Sequence, residues 1–166
     1  MVEITLPIVL QIVQTAGIFV GIVYYLTIMR NNQRTQRIQL YNTYLQPRLT
    51  EEYWDKVLEV LYQEWETYDE WYSKYGPRAN RESWLKFQSL CIFFNSLGEI
   101  TRDLKMGINV VQDALGPVAI MVWDKIEPVV LGERNRYSQQ YGMAVIYLEE
   151  FEYLVNELKT YRKIST

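Results

Sequence analysis

Histidine is missing from all 166 residues, and cysteine occurs once, at Cys91. Those two shortages remove His-based triads, zinc sites with His or paired Cys ligands, c-type haem attachment and intrachain disulfides. There is no Gly-rich phosphate loop, no internal repeat and no alternating strand pattern. Excess positive charge is missing too: 17 Lys and Arg face 20 Asp and Glu, a formal net charge of -3. A chain of that balance has no global attraction for phosphate backbones, so a nucleic-acid partner is not expected. A cofactor is not expected either.

What is present is apolar and aromatic. Nearly half the chain, 49%, is hydrophobic, with 14 tyrosines and 5 tryptophans, enough for one compact core of packed helices whose rings end in polar tips. From Ile4 to Met29 there is no charged side chain, and between Pro7 and Met29 only Gln11, Gln14, Thr15, Thr27 and two tyrosine hydroxyls interrupt the apolar run. A helix rising about 1.5 Å per residue over that stretch crosses a hydrocarbon core of about 30 Å. Pro7 falls in the first turn, and Tyr24 and Tyr25 lie where the far headgroup boundary holds aromatic rings. A cleaved signal peptide would want a basic start and a small-residue cleavage site, but the chain opens Met-Val-Glu, with Arg30 directly after the span. An uncleaved anchor over residues 1–29 is the expectation.

Only Glu3 and the amino terminus precede the span, whereas Arg30, Arg34, Arg37 and Arg48 follow it. The positive-inside bias then places the carboxy-terminal side in the cytoplasm and the amino terminus outside. Inside the span, Gly17 and Gly21 form a GxxxG with Gln14 on nearly the same face, the pattern of a membrane helix-packing surface. Glycine is also simply common in membrane helices.

Residues 30–46 contain no glycine or proline, with Ile38, Tyr41 and Leu45 at helical spacing, and read as a helical stalk ending before Pro47. Residues 47–166 read as a helical bundle. Thr50 followed by two glutamates starts a helix that the steps of Trp54, Leu58, Leu61, Trp65, Tyr68, Tyr72 and Tyr75 carry to Gly76-Pro77. The acids on it, including Glu59, Glu64, Glu66, Asp69 and Glu70, invite a metal or acid–base reading. With no histidine to complete a bundle metal site, a solvated acidic face is the simpler expectation, and Glu66, Asp69 and Glu70 become the candidate surface for a basic partner.

Asn80 caps the next helix, whose Trp84, Phe87, Leu90, Cys91, Phe93, Phe94, Leu97, Ile100 and Leu104 surround more than one face, as in a central bundle helix. Gly98 within it suits the crossing of another backbone, and Cys91, with no base nearby in sequence, reads as a small buried hydrophobe. A short helix over "INVVQDALGP" is expected, then one from Pro117 with Ile120, Trp123, Ile126 and Val130 inward and a kink at Pro128. "GERNRYSQQYG" reads as a loop, and "MAVIYLEEFEYLVNELKTYRK" as the last helix. The expected class is all-α: a transmembrane helix, a stalk, and a cytoplasmic bundle of about four to five helices.

The stretches "FFNSLGEITRDLKMG" (93–107), "GPVAIMVWDKIEPVV" (116–130) and "YLEEFEYLVNEL" (147–158), behind a membrane helix and basic stalk, resemble a prokaryotic domain-of-unknown-function family of single-pass membrane-anchored all-helical proteins. The similar residues are packing and capping residues, and the tyrosine-rich 62–75 segment departs from the pattern. The resemblance implies the fold and the anchor and carries no activity.

Two functions fit. One is a non-catalytic accessory or assembly subunit of a larger membrane complex, its partners being the lipid bilayer and other membrane subunits. The alternative is a self-associating, membrane-anchored sensor or effector whose helical domain relays a signal. An acid–base activity using Asp, Glu, Tyr and Lys is the enzymatic class left open; no catalytic residue, substrate or metal is assigned.

Overall fold

A computed structural model describes residues 6–103, 106–142 and 146–165, without the side chains of Arg37, Leu40, Tyr41 and Ser165. Glu3, Ile4, Leu104, the expected start of the last helix at residues 143–145, and the side chains of Arg37 and Tyr41 lie outside what is described. The elements are α1 (Leu6–Leu45), a 3-10 turn (Gln46–Leu49), α2 (Glu51–Leu61), α3 (Tyr68–Tyr75), α4 (Arg81–Arg102), α5 (Ile108–Tyr141) and α6 (Glu149–Ser165). No strand occurs among the described residues. The chain divides into two compact units, Met1–Gln39 and Leu40–Thr166, a boundary inside the predicted stalk.

The first unit holds most of α1. Every described residue from Leu6 to Gln36 is exposed, so its apolar side chains are not those of a core helix. This stretch is long and apolar enough to cross a membrane.

In the second unit, Leu45 is buried at the end of α1, and Pro47 opens the turn that stops the helix. Thr50 caps α2 by accepting from the Tyr53 N–H at 3.2 Å, and Asn80 caps α4 by accepting from Ser83 N–H at 3.1 Å, as the sequence predicts. Helix α6 packs on α4 and α5, α2 packs on the same pair, and α3 lies against both. Between them lies one core containing Phe87, Phe94, Leu97, Val111, Trp123 and Phe151, with Phe94 and Phe151 stacked at 4.8 Å. The crossing of α4 and α6 is close enough that a Cβ on Gly98 would run into the Glu150 carbonyl. The backbone crossing expected at Gly98 is therefore made by the carboxy-terminal helix.

Five expectations need correction. The helix expected from Thr50 to Gly76 is two, α2 and α3, because residues 62–67 leave the helix so that Gln63 can turn inward. Its amide donates to Ser83 Oγ at 3.1 Å and accepts from the Trp71 indole at 2.9 Å, while Ser83 Oγ donates to Glu59 at 2.6 Å. The side chains of α2 that face the core are Tyr53, Val57 and Val60 rather than Trp54 and Leu58. The break expected at Pro117 does not occur, and "GERNRYSQQYG" is not a loop: α5 is continuous to Tyr141 and ends on Gly142 in the left-handed conformation (φ 67°). Both internal prolines, Pro117 and Pro128, sit on the exposed side, and so do Asp113 and Asp124, the residues whose carbonyls the prolines leave without an N–H. Water can take those carbonyls, which lets the helix continue. Finally, residues 146–148 precede the last helix rather than belonging to it. Leu148 adopts φ 60° and α6 begins at Glu149.

Candidate functional site

The apolar first helix offers an open face, with a shallow groove along Ile8, Gln11, Ile12, Thr15, Ala16, Phe19 and Val20. Gln14, Gly17 and Gly21 fall within about 60° of one another at about 100° per residue, and a Cβ added at either glycine would meet nothing within 4 Å. The two threonine hydroxyls of the span are satisfied internally: Thr15 donates to the Gln11 carbonyl and Thr27 to the Val23 carbonyl, both at 2.8 Å. The Gln11 and Gln14 side-chain amides find no such partner among the described residues. An amide in hydrocarbon is most stable when hydrogen-bonded to another helix.

The acidic surface is brought together only in part. Glu66 and Asp69 are exposed. Glu70 is a capping residue: its N–H donates to Thr67 Oγ1 at 3.2 Å, and its carboxylate accepts from Glu66 N–H at 2.8 Å and from Lys74 at 2.6 Å. The Lys74 ammonium, with the Glu66 N–H behind it, holds the Glu70 carboxyl below the usual range. Glu70 thus starts α3, which leaves Glu66 and Asp69 as the acids available to a partner. The sequence Thr67-Tyr68-Asp69-Glu70 is a capping-box pattern, the signal that marks this start.

One polar cluster escaped sequence reasoning. Glu133, 1% exposed, accepts from the Tyr68 hydroxyl at 2.9 Å and from Arg136 at 2.6 Å. The Arg136 guanidinium lies over the rings of Tyr72 and Tyr137, 5.0 and 4.8 Å from their centroids. The Tyr68 ring can reach Glu133 because Gly132 presents bare backbone where a Cβ would strike that ring. Burial, then the hydrogen bond and charge of Glu133, push the Tyr68 phenol up. Burial works against the Arg136 charge, but Glu133 more than offsets it and holds the guanidinium protonated. The cluster latches α3 onto α5, and a carboxylate occupied by two donors is poorly placed to take a proton from a substrate. Its sequence signal is positional, since Glu133 continues the inward face of Ile126, Val129 and Val130.

Beside it, the Tyr147 hydroxyl bonds the Gln88 amide at 2.9 Å, and Arg134 donates to the Tyr147 carbonyl at 2.9 Å while pairing with Glu152 at 2.8 Å. Cys91 is fully buried, and burial pushes its thiol up, away from the reactive thiolate. No group of three or more Cys, Asp or Glu among the described residues is placed to hold a metal ion. Comparison with protein-family models, curated proteins and solved structures finds no match to this chain.

Proposed function

We propose that the chain is a non-catalytic, single-pass membrane protein acting as an accessory or assembly subunit of a larger membrane protein complex. The observation that carries the proposal is the first unit: an apolar helix exposed on every side, with its threonines satisfied internally and its glutamines without partners. Such a helix calls for lipid around most of its surface and a polar neighbour on one face. The occupied Glu133 and the buried Cys91 support a role without chemistry. Kinship with the membrane-anchored helical family that the sequence resembles belongs to the same proposal.

Orientation follows from Arg30, Arg34, Arg37 and Arg48 after the span, which favour a cytoplasmic helical domain and an outward amino terminus. Arg48 is also used within the domain, where it donates to the Ala114 carbonyl at 2.7 Å. Purification of the full chain from its native membrane in mild detergent, followed by measurement of subunit composition, tests the role. A stoichiometric membrane protein of different sequence supports it; a chain recovered alone and monomeric contradicts it. Recovery as an assembly of itself alone would favour the second reading, a self-associating sensor or effector, for which the open Gly17 and Gly21 face is the specific observation.

A further inference from the structure

The split between α2 and α3 leaves an apolar stripe that the protein's own core does not use. Tyr53, Val57 and Val60 carry α2 into the core, while Trp54, Leu58 and Tyr62, spaced four apart on the outer side, are 43%, 45% and 78% exposed. The stripe runs about 12 Å along the helix, two turns at about 1.5 Å per residue. Alongside it lies an open groove of about 370 Å³ lined by Asp55, Leu58, Glu59, Tyr62, Gln63 and Tyr75. Gln63 and Glu59 are fixed by Ser83 and Trp71, and the Tyr75 hydroxyl accepts from the Glu64 N–H at 3.3 Å, so the groove is held in shape before any partner arrives.

Charge decides what fits. Residues 51–75 carry eight acids against two lysines; of the two acids that line the groove, Asp55 pairs with Lys86 of α4 at 2.8 Å and Glu59 accepts from Ser83, so the surface is acidic with one cation beside it. An anionic bilayer surface would be repelled, and so would an acidic helix. We propose that the groove at Leu58 and Tyr62, together with the exposed Trp54 beside it on the stripe, is the docking site for a basic amphipathic helix of another protein, with apolar anchors three and four residues apart in the stripe and Lys or Arg against the acids. This is helix-in-groove recognition, with Trp and Tyr as the large, rigid anchors that dominate such contacts. It rests on the interaction-subunit reading and names the chemistry of the partner.

The test is site-specific photo-crosslinking of the full chain in its native membrane, with a benzophenone amino acid at position 58 or 62 and, as a control, at the exposed position Met121 on α5. The expected result is an adduct from 58 and 62 but not from 121, mapped to a segment of another protein with apolar residues at helical spacing flanked by Lys or Arg. The Leu58→Ser change should reduce the adduct from position 62 by about tenfold, roughly 1.4 kcal/mol of affinity, with an unchanged melting temperature. Raising salt should weaken it further. Adducts to lipid, to a second copy of this chain or to a segment without basic residues would overturn the proposal, as would no adduct. Should a stoichiometric partner still co-purify while 58 and 62 give no adduct, the groove assignment falls and the subunit reading stands. If no partner co-purifies, the subunit reading falls with it.

Discussion

Gly98 shows how much a single missing side chain can decide. Leucine has better helix propensity than glycine by nearly 1 kcal/mol, so at an exposed site Gly98→Leu would stabilise. At the α4–α6 crossing the new side chain meets the Glu150 backbone, which cannot swing aside as a flexible side chain could. Gly98→Leu should therefore cost about 1–3 kcal/mol, read as a lowered melting temperature, and a raised one would contradict the crossing. Three tyrosines give a second residue-scale expectation. Burial raises the phenols of Tyr53, Tyr68 and Tyr147, so the folded chain keeps protons that an unfolded chain releases near pH 10. Because the folded value is the higher one, their stabilising contribution is intact below about pH 10. It falls above that, by up to about 1.4 kcal/mol per pH unit for the largely buried Tyr53 and Tyr147 and by less for the more solvent-exposed Tyr68. Tyr53 isolates the effect, since its hydroxyl is buried without a hydrogen-bond partner. Tyr53→Phe should gain about 1 kcal/mol at neutral pH and flatten the alkaline slope, measured by denaturant unfolding between about pH 8 and pH 11. A variant that loses stability at both ends of that range would show that the hydroxyl is bonded after all.

Among the elements, the long apolar first helix, the turn at Pro47 and the starts at Thr50 and Asn80 could be read in advance because each depends on neighbours in sequence: an uncharged run, an X-Pro step, a capping side chain. The elements that could not be read depend on long-range partners. The steps of three and four from Trp54 to Tyr75 are a genuine helical pattern, but Gln63 gains more by reaching Trp71 and Ser83 than by extending α2, and the Thr67–Glu70 capping box restarts the chain. Pro117 reads as a helix start only if its surroundings are unknown; on the exposed side of α5 its freed carbonyl can be hydrated. The inward position of Glu133 needed Tyr68, 65 residues away, to be in place. For the span itself, the face of Gln14, Gly17 and Gly21 gives the element-scale prediction. Gly21→Leu should weaken association with a membrane partner or with itself while the melting temperature of the helical domain is unchanged, because a Cβ at Gly21 would meet nothing within 4 Å among the described residues. Unchanged association in both a partner pull-down and a self-association assay would return this glycine pair to the background of membrane helices.

At the scale of the whole molecule, the chain joins two kinds of stability. The domain from Leu40 onward buries its own aromatic core and ties Glu133 and Gln63 into hydrogen-bond networks, while the buried Tyr53 hydroxyl is left unbonded. The helix before it is exposed along its described length and is long and apolar enough to cross a membrane. Protease added to intact cells should spare residues 50–166 if the arginines set the orientation, and cleavage there would reverse the proposed sidedness. The proposed role requires the helix to be held in a bilayer, and alkaline carbonate extraction of native membranes tests that most directly. High pH strips proteins bound by charge or by peripheral contacts, whereas a span of this length keeps its apolar surface in lipid. The full chain is expected in the membrane pellet; recovery in the soluble fraction would contradict membrane anchoring.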